Sequence, residues 1–298
     1  MKICRSIAEM RAACRQVRGA GRRLGFVPTM GALHAGHISL VRAARACCDV
    51  VAVSIFVNPL QFGPQEDYGR YPRSFEQDCQ MLEAEGVDLV FAPGAEEMYP
   101  PGAVSYVTVE GMSERLCGRS RPGHFRGVTT VVSKLFHIVE PDAAFFGQKD
   151  AAQASILRRM VRDLDLEIEM VICPIVREPD GLAMSSRNAY LTAEQRRAAT
   201  VLFRALERVQ ALFDAGERGS LALAAAALQV LGAETGVRAD YVEVVDNDTL
   251  EPVAEVSRGA LVAVAAWLGE TRLIDNLLLP AKTTPTTETP RHGEEMQK

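Results

Sequence analysis

The sequence lacks several features that would assign it to a class of protein at once. It has no run of about 18 uncharged apolar residues, the length that a membrane-spanning helix needs. Arginine and glutamate interrupt the N-terminal segment, which therefore has no apolar core of the kind found in signal peptides. The seven cysteines form no C-x-x-C pair, so neither a disulfide framework nor a zinc site is indicated.

An excess of positive charge is also missing. Lysine and arginine total 33 against 38 aspartate and glutamate residues, and the formal net charge is −5. Nucleic-acid binding usually requires a basic face, so we expect no nucleic-acid partner and no membrane contact. The scattered cysteines are typical of a reducing compartment, and we expect a cytoplasmic protein.

The chain up to about residue 176 alternates short β-branched runs with amphipathic stretches, which is typical of a parallel α/β fold. Strands are predicted at 24–29, 50–57, 88–92, 104–110, 143–147 and 167–176. Helices are predicted at 36–48, 74–85, 128–139 and 150–163. The polar segments 58–73 and 112–127 are predicted to be loops, the first of them a binding loop. A Rossmann-like parallel-sheet domain is therefore expected over residues 1–175.

The pattern changes after a polar segment at 177–192. Two Ala/Leu-rich helices are followed by predicted strands at 241–246, 260–268 and 271–279. Helices followed by clustered strands predict a separate α+β unit, which we place at 176–280 and expect to close as a lid over a cleft. Residues 281–298 are polar and are expected to be a disordered tail.

The most informative motif is His34-x-Gly36-His37, which lies between the first predicted strand and the helix that follows it. Open parallel sheets bind ligands at this position, and the helix N-terminus favours phosphate. Neither G-x-G-x-x-G nor G-x-x-x-x-G-K-[ST] occurs in the chain. This H-x-G-H pattern is the signature of the nucleotidyltransferase superfamily, whereas a lone pair of histidines is more often structural.

Two further segments offer groups for phosphate. Ser185, Ser186 and Arg187 provide two hydroxyls and a guanidinium, although a plain helix cap uses the same residue types. Lys149 follows a predicted strand and is suited to neutralising an α-phosphate or a leaving pyrophosphate. Asp150 is suited equally to a ribose hydroxyl, to a Mg²⁺-bound water or to a helix start.

The runs that contain these residues resemble the pantothenate synthetase family over nearly the whole chain. The matching runs are PTMGALHAGH, NPLQFGP, EDYGRYPR, GHFRGVTTVVSKLF, FFGQKD, MSSRNAYL and ADYVEVVD. The resemblance implies a ligase that activates pantoate as an acyl-adenylate with ATP and Mg²⁺, then joins it to β-alanine. It also implies a homodimer and no tightly bound organic cofactor.

The resemblance also implies residue roles. The ATP-binding residues would be Pro28, Met30, His34, Gly36, His37, Gly147, Lys149, Asp150, Val176, Met184, Ser185, Ser186 and Arg187. Those with a catalytic role would be His34, His37, Lys149, Ser185, Ser186 and Arg187. Pantoate would contact Pro28, Met30, Gln61 and Gln153, with Asn58, Tyr71 and Arg126 in support. We interpret His124 as structural or peripheral. The chain departs from the family at Ala152, where glutamine is frequent.

Two other functions are compatible with the motifs. A different nucleotidyltransferase would keep the nucleotide in its product and would not consume β-alanine. A nucleotide-binding module could retain the fold without catalysis, because a fold does not fix a function. The intact histidine pair, Lys149 and the serine–arginine segment favour the ligase.

Overall fold

A computed structural model describes residues 1–64 and 66–281 of the chain. The predicted disordered tail therefore lies, from residue 282 onward, outside the described residues. Ala281, which the sequence assigns to that tail, is the last residue of a strand. No helix in the described part of the chain is long and apolar enough to cross a membrane.

The larger unit is built on a parallel sheet of six strands. They are β1 (Lys2–Cys4), β2 (Leu24–Thr29), β3 (Val50–Ile55), β4 (Leu89–Phe91), β5 (Ala143–Gly147) and β6 (Glu169–Cys173). The strand order is β1-β4-β3-β2-β5-β6, and every neighbouring pair is parallel. The central strands are short and apolar because helices cover both faces of the sheet.

The strand order reverses direction at the centre of the sheet. From β2 the chain runs outward through β3 to β4, and it later returns to place β5 on the other side of β2. The loops that leave β2 and β5 therefore diverge and open a crevice at the carboxyl edge of the sheet. This topology brings the segment after Thr29 next to the segment after Gly147.

The larger unit has seven helices within the residues that the structure describes. They are α1 (Ile7–Gly19), α2 (Ala35–Cys47), α3 (Phe75–Ala84), α4 (Ala95–Met98), α5 (Cys117–Ser120), α6 (His124–Val139) and α7 (Ala151–Asp163). Helix α1 starts with a capping box in which Ser6 and Glu9 exchange side-chain and backbone hydrogen bonds. Helix α6 is buried at twelve of its sixteen positions, which places it in the middle of the core.

The smaller unit consists of three helices and an antiparallel sheet. Its elements are α8 (Ala193–Ala198), α9 (Val201–Asp214), α10 (Ser220–Gly232), β7 (Val237–Val245), β8 (Arg258–Leu268) and β9 (Thr271–Ala281). The strand order is β7-β8-β9. A capping box between Thr192 and Gln195 starts α8, at the helix start that the sequence predicts.

Strand β8 is buried on both faces. Val262, Val264 and Ala266 pack with the helices α9 and α10. The alternate residues Leu261, Ala263 and Ala265 belong to the same hydrophobic cluster as α6 and α7 of the larger unit. One hydrophobic cluster therefore spans both units and a second belongs to the smaller unit, while the predicted division near residue 176 stays a prediction.

The predicted fold class is confirmed, and three local predictions need correction. Residues 103–109 have no regular secondary structure and Glu110 lies in a turn, so the predicted strand 104–110 does not form in the described part of the chain, where no strand pairs with it. The predicted loop 112–127 contains α5 and the first turn of α6. Strand β1 and helix α1 were not predicted; β1 has only three residues and lies at the sheet edge.

The backbone of helix α6 packs directly against the backbone of the loop after β3, with no side chain between them. A Cβ atom added to Gly127 would lie 2.3 Å from the carbonyl oxygen of Leu60 and 2.6 Å from the nitrogen of Gln61. Only glycine allows this contact, which sets the position of the short 3₁₀ turn Pro59–Gln61.

We expect Gly127→Ala to lower the free energy of unfolding by about 1–3 kcal/mol, because the added methyl group forces backbone apart in a packed core. Urea denaturation measures this value. Gly232→Ala is the matched control, since its added Cβ meets no heavy atom of the described residues within 4 Å. Equal stability of the two variants would contradict the close-approach argument.

Candidate active site

The crevice begins with a tight turn after β2. Gly31 and Ala32 both have left-handed backbone conformations, with φ values of 82° and 51°. The buried carboxylate of Asp78 in α3 accepts hydrogen bonds from the backbone nitrogens of Ala32 and Leu33, each at 2.9 Å. A Cβ on Gly31 would lie 2.9 Å from Asp78 Oδ2, so glycine is required here for two reasons.

This turn places His34 at the N-cap of α2 and His37 in the first turn of that helix. His34 is the N-cap, and its Nδ1 accepts a hydrogen bond from the backbone nitrogen of Gly36 at 3.1 Å. Nδ1 of His37 accepts from the backbone nitrogen of His34 at 3.3 Å. We assign the proton of each neutral imidazole to Nε2, because Nδ1 is an acceptor in both rings.

Both imidazoles are uncharged at neutral pH. Burial lowers the pKa of His34 to about 4, assisted by the positive charge of Lys149. Burial lowers the pKa of His37 to about 3, assisted by His34 and then by Lys149. The two ring centroids are 4.1 Å apart, a separation at which two charged imidazoles would repel each other strongly. The pair therefore provides hydrogen-bond donors without net charge.

A close contact with His34 explains why residue 36 is glycine. A Cβ at this position would lie 2.8 Å from Cε1 and 2.9 Å from Nδ1 of His34. The glycine thus makes room for the imidazole that caps the helix. This contact is a cause of the glycine that the motif alone did not reveal.

The second wall of the crevice comes from the end of β5. Gly147 leads into a 3₁₀ turn, Gln148–Asp150, and α7 follows at once. Lys149 lines the crevice, with Nζ 3.8 Å from Asp150 Oδ2. Asp150 occupies the N-cap position of α7 but makes no side-chain cap hydrogen bond. Its half-exposed carboxylate lies in the crevice instead.

The segment Met184 to Arg187 forms a third wall. Ser185 Oγ accepts a hydrogen bond from the backbone nitrogen of Arg187 at 3.3 Å. Ser185 therefore does cap a short helical turn, as the alternative interpretation of this segment expects. The hydroxyl hydrogen of Ser185 remains available to a ligand. Ser186 Oγ donates to the carbonyl of Ala32 at 3.1 Å, which ties this segment to the turn before His34.

Arg187 makes a bidentate ion pair with Asp67. Its Nε and Nη2 each lie 3.0 Å from a carboxylate oxygen, and the Asp67 side chain is 10% exposed. The guanidinium also lines the crevice. Asp67 thus orients Arg187 and engages two of its three nitrogen atoms.

Gln61 lies on the floor of the crevice among several partners. Its Nε2 donates to Met30 Sδ at 2.9 Å, and its Oε1 accepts from Asn58 Nδ2 at 3.2 Å. Asn58 is almost fully buried and also accepts from the Tyr99 hydroxyl at 2.8 Å. Tyr71 is buried beside the guanidinium of Arg187, and burial raises the pKa of its hydroxyl.

Arg121 and His124 hold the backbone of Gln61 from the other side. His124 Nδ1 lies 2.8 Å from the carbonyl oxygen of Gln61, and Arg121 Nη2 donates to the same oxygen at 3.2 Å. A carbonyl can only accept, so Nδ1 carries the proton, and Nε2 accepts from Arg121 Nη1 at 3.1 Å. Burial, followed by the charge of Arg121, lowers the pKa of His124 to about 3.

An apolar chamber of buried side chains continues from Gln61 into the core. It opens from the same crevice, whose volume is about 220 Å³. The chamber is lined by Phe56, Val128, Val131, Val132, Leu135 and Phe146. The crevice therefore has one end with hydrogen-bond donors and positive charge, and another end that is apolar.

The crevice brings together seventeen of the eighteen residues singled out in the sequence. These are Pro28, Met30, His34, Gly36, His37, Asn58, Gln61, Tyr71, Gly147, Lys149, Asp150, Gln153, Val176, Met184, Ser185, Ser186 and Arg187. Arg126 does not join them: it is exposed and stacks on the ring of Tyr106, with Cζ 3.8 Å from the ring centroid. Its functional role near the site is therefore not supported by its position.

The structural role expected of His124 agrees with its hydrogen bond to the Gln61 carbonyl, whereas Arg121, which also lines the crevice, was not singled out in the sequence. His124 and Arg126 are two positions apart in the first turn of α6, so they point about 200° apart. Only one of them can face the crevice. The start of α6, which was predicted four residues too late, would have given that signal.

Known proteins match this chain in family, in sequence and in structure. Residues 2–278 match the family model described as pantoate-beta-alanine ligase. A pantothenate synthetase from Koribacter versatilis is 62% identical over 281 residues, which cover 94% of this chain and 97% of that protein. One from Thermotoga neapolitana is 58% identical over 279 residues, covering 94% of this chain and 100% of that protein.

Solved structures agree with this match. Pantothenate synthetase from Thermus thermophilus has a TM-score of 0.89 and 48% identity, covering 93% of this chain and 99% of that chain. A pantoate-beta-alanine ligase from Francisella tularensis, solved in complex with β-γ ATP and β-alanine, has a TM-score of 0.78 and 34% identity. That comparison covers 93% of this chain and 97% of the other.

The lowered histidine pKa values predict a loss of stability in acid. An unfolded histidine takes up a proton near pH 6.5, whereas His124 in the folded chain resists protonation down to about pH 3. Between these pH values the unfolded state binds more protons, so the free energy of unfolding falls as the pH falls. In His124→Gln this slope should be shallower by up to about 1.4 kcal/mol per pH unit.

Urea denaturation of the wild type and His124→Gln at several pH values from about 7 to about 4.5 measures the two slopes, an interval that lies mostly between the unfolded and folded pKa values. His34 and His37 contribute to the slope in both proteins, so the difference between the curves isolates His124. Curves that stay parallel over this interval would show that His124 protonates freely in the folded chain.

Proposed function

Since the chain belongs to the pantoate-beta-alanine ligase family, an enzyme family that uses ATP to condense pantoate with β-alanine, we propose that the crevice carries both steps of the reaction. In the first step the pantoate carboxylate attacks the α-phosphorus of ATP and expels pyrophosphate, which leaves pantoyl-adenylate. In the second step the β-alanine amine attacks the activated carbonyl, and AMP leaves as the amide forms. Neither step needs a covalent enzyme intermediate.

The observation that carries this proposal is the neutral imidazole pair facing Lys149 across the crevice. The Nε2–H groups of His34 and His37 are donors for phosphate oxygens, because their Nδ1 atoms already accept from the backbone nitrogens of Gly36 and His34. Lys149 adds a positive charge that compensates the charge developing on the leaving pyrophosphate. The hydroxyl of Ser185 and the guanidinium of Arg187 complete the proposed phosphate-binding set, and Ser186 would join it by exchanging its hydrogen bond to the Ala32 carbonyl for one to a phosphate oxygen.

The other end of the crevice suits pantoate. The amides of Gln61 and Gln153 are the proposed partners of its hydroxyl and carboxylate groups. The apolar chamber beside them matches the two methyl groups on the pantoate chain, which gain from burial. Asn58 and the pair Arg121–His124 hold Gln61 from two sides, so its amide is already oriented before a ligand binds.

Mg²⁺ enters this proposal with ATP. No group of three or more His, Cys, Asp or Glu side chains in residues 1–64 and 66–281 is arranged to hold a metal ion. Asp150 is the one carboxylate that lines the crevice among these residues. This donor set fits an ion held mainly by phosphate oxygens and water, with Asp150 as the protein partner. When bound, Mg²⁺ neutralises phosphate charge.

We include two properties of the whole protein in the proposal. A cytoplasmic location is consistent with seven cysteines that are all free thiols. A homodimer would cover the irregular segment 103–110, which we name the edge segment. Val104 in this segment is 80% exposed and Tyr106 is 45% exposed. Large apolar side chains exposed together are typical of an interaction surface.

The partial reaction tests the proposed function. Mixing the protein with Mg·ATP and pantoate alone should release close to one pyrophosphate per site in a burst, and β-alanine should convert this into sustained AMP formation. His34→Ala should slow the burst by about 10²–10³-fold, because it removes a donor to the transition state. Quenched-flow analysis of pyrophosphate measures the burst.

His137→Ala is the matched control, because His137 is exposed and does not line the crevice. It should leave the burst unchanged. If folded wild-type protein releases no pyrophosphate in response to pantoate, the proposed reaction is wrong, and phosphorylated acceptors should be screened for nucleotidyl transfer.

The dimer is tested separately. Light scattering after gel filtration should give twice the chain mass for the wild type, and Val104→Asp should shift the protein to the monomer by placing a charge in the edge segment. Leu221→Asp is the control, since Leu221 is 88% exposed on α10 and far from this segment. A wild-type monomer, or dissociation by the control as well, would refute the edge segment as the interface.

A further inference from the structure

Asn276 of the smaller unit forms hydrogen bonds with the backbone of the turn that carries Lys149. It lies in β9, and only 4% of it is exposed. Its Nδ2 donates to the carbonyl of Gln148 and to the carbonyl of Lys149, both at 2.9 Å. Its Oδ1 accepts from Gln148 Nε2, also at 2.9 Å. One buried amide thus satisfies two successive carbonyls of the larger unit.

These contacts restrain the backbone from which the Lys149 side chain leaves. The carbonyls belong to the 3₁₀ turn Gln148–Asp150, between the end of β5 and the start of α7. Two hydrogen bonds to consecutive peptide groups restrain rotation of the backbone on both sides of Cα of Lys149. The long lysine side chain therefore leaves from a restrained point.

The neighbouring residue in β9, Asp275, anchors the loop that leads to the third wall of the crevice. Asp275 forms a bidentate ion pair with Arg177, at 2.6 and 3.0 Å, and also accepts from the backbone nitrogen of Asn276 at 2.7 Å. Arg177 opens the loop that leads to Met184, whose backbone nitrogen bonds back to Val176. Adjacent residues of β9 therefore hold the bases of two crevice walls.

We propose that Asn276 is a positioning residue for the adenylation step, acting through Lys149. The proposal rests on the role of Lys149 proposed above and assigns to the smaller unit a part in assembling the phosphate site. Its distinctive consequence is that removing Asn276 weakens binding of the triphosphate and slows adenylation, while pantoate binding at the apolar end is unaffected. A contact that only stabilised the fold would affect all of these alike.

A double-mutant cycle tests the proposal with four full-length proteins: wild type, Asn276→Ala, Lys149→Gln and the combination. The dissociation constant of Mg·ATP is measured by calorimetry, which requires no turnover. Asn276→Ala should raise this constant about tenfold when Lys149 is present and less than about twofold in the Lys149→Gln background. The pantoate dissociation constant of Asn276→Ala should match that of the wild type.

Two further variants separate positioning from folding. Glu270→Ala removes an exposed ion pair with Arg70 that also joins the two units, and it should leave both dissociation constants unchanged. Asn276→Ser keeps one donor and should give an intermediate effect, which provides the readout if Asn276→Ala does not fold. Thermal unfolding confirms that each protein used in the cycle is folded.

If the two substitutions raise the Mg·ATP dissociation constant by independent factors, Asn276 does not act through Lys149. If Asn276→Ala weakens pantoate binding as much as Mg·ATP binding, its role is also overturned. Both outcomes leave the role of Lys149 intact. A Lys149→Gln protein that binds Mg·ATP like the wild type would overturn the proposed role of Lys149 and the inference with it. The two failures are therefore distinguishable.

Discussion

The backbone N–H groups of Ala32 and Leu33 donate to a single carboxylate, Asp78, that is 1% exposed and also accepts from the Ser74 hydroxyl at 3.1 Å. Hydrogen bonds to a charged acceptor contribute about 1.5–3 kcal/mol each, which outweighs the roughly 1–2 kcal/mol cost of a left-handed alanine. The turn so held sets where α2 begins. The positions of His34 and His37, and through Ser186 that of the third crevice wall, follow from this turn.

Much of this arrangement could be predicted from local patterns. The β-branched runs indicated the parallel sheet, and the H-x-G-H motif at a strand-to-helix junction indicated the phosphate end of the crevice. The contacts that orient the site could not be predicted in this way. Asp78 lies more than forty residues from the turn that it holds, and Asn276 lies more than one hundred from Lys149. No pattern within a window of sequence contains such a pair.

The incorrect predictions can each be traced to a particular segment of the chain. Arg126 was expected near the site from the resemblance alone, and the predicted start of α6 at 128 left out the first helical turn, in which Arg126 lies on the exposed side and His124 on the crevice side. The run at 104–110 has the composition of a strand, but a strand needs a partner, and none pairs with it in the described part of the chain. The doubly buried strand β8 shows the same limit, since its sequence does not tell which unit each face will meet.

The uncharged state of the two crevice imidazoles also bears on how the enzyme lets its products go. Charged side chains attract ATP, pyrophosphate and AMP throughout the cycle, and such uniform attraction stabilises bound states without lowering the barrier between them. Neutral donors respond more to how oxygen atoms are placed than to how much charge a ligand carries. If the proposed phosphate contacts are divided in this way between one lysine, one shared arginine and two neutral rings, they favour turnover over retention in a reaction that discards two anions each time it forms one amide.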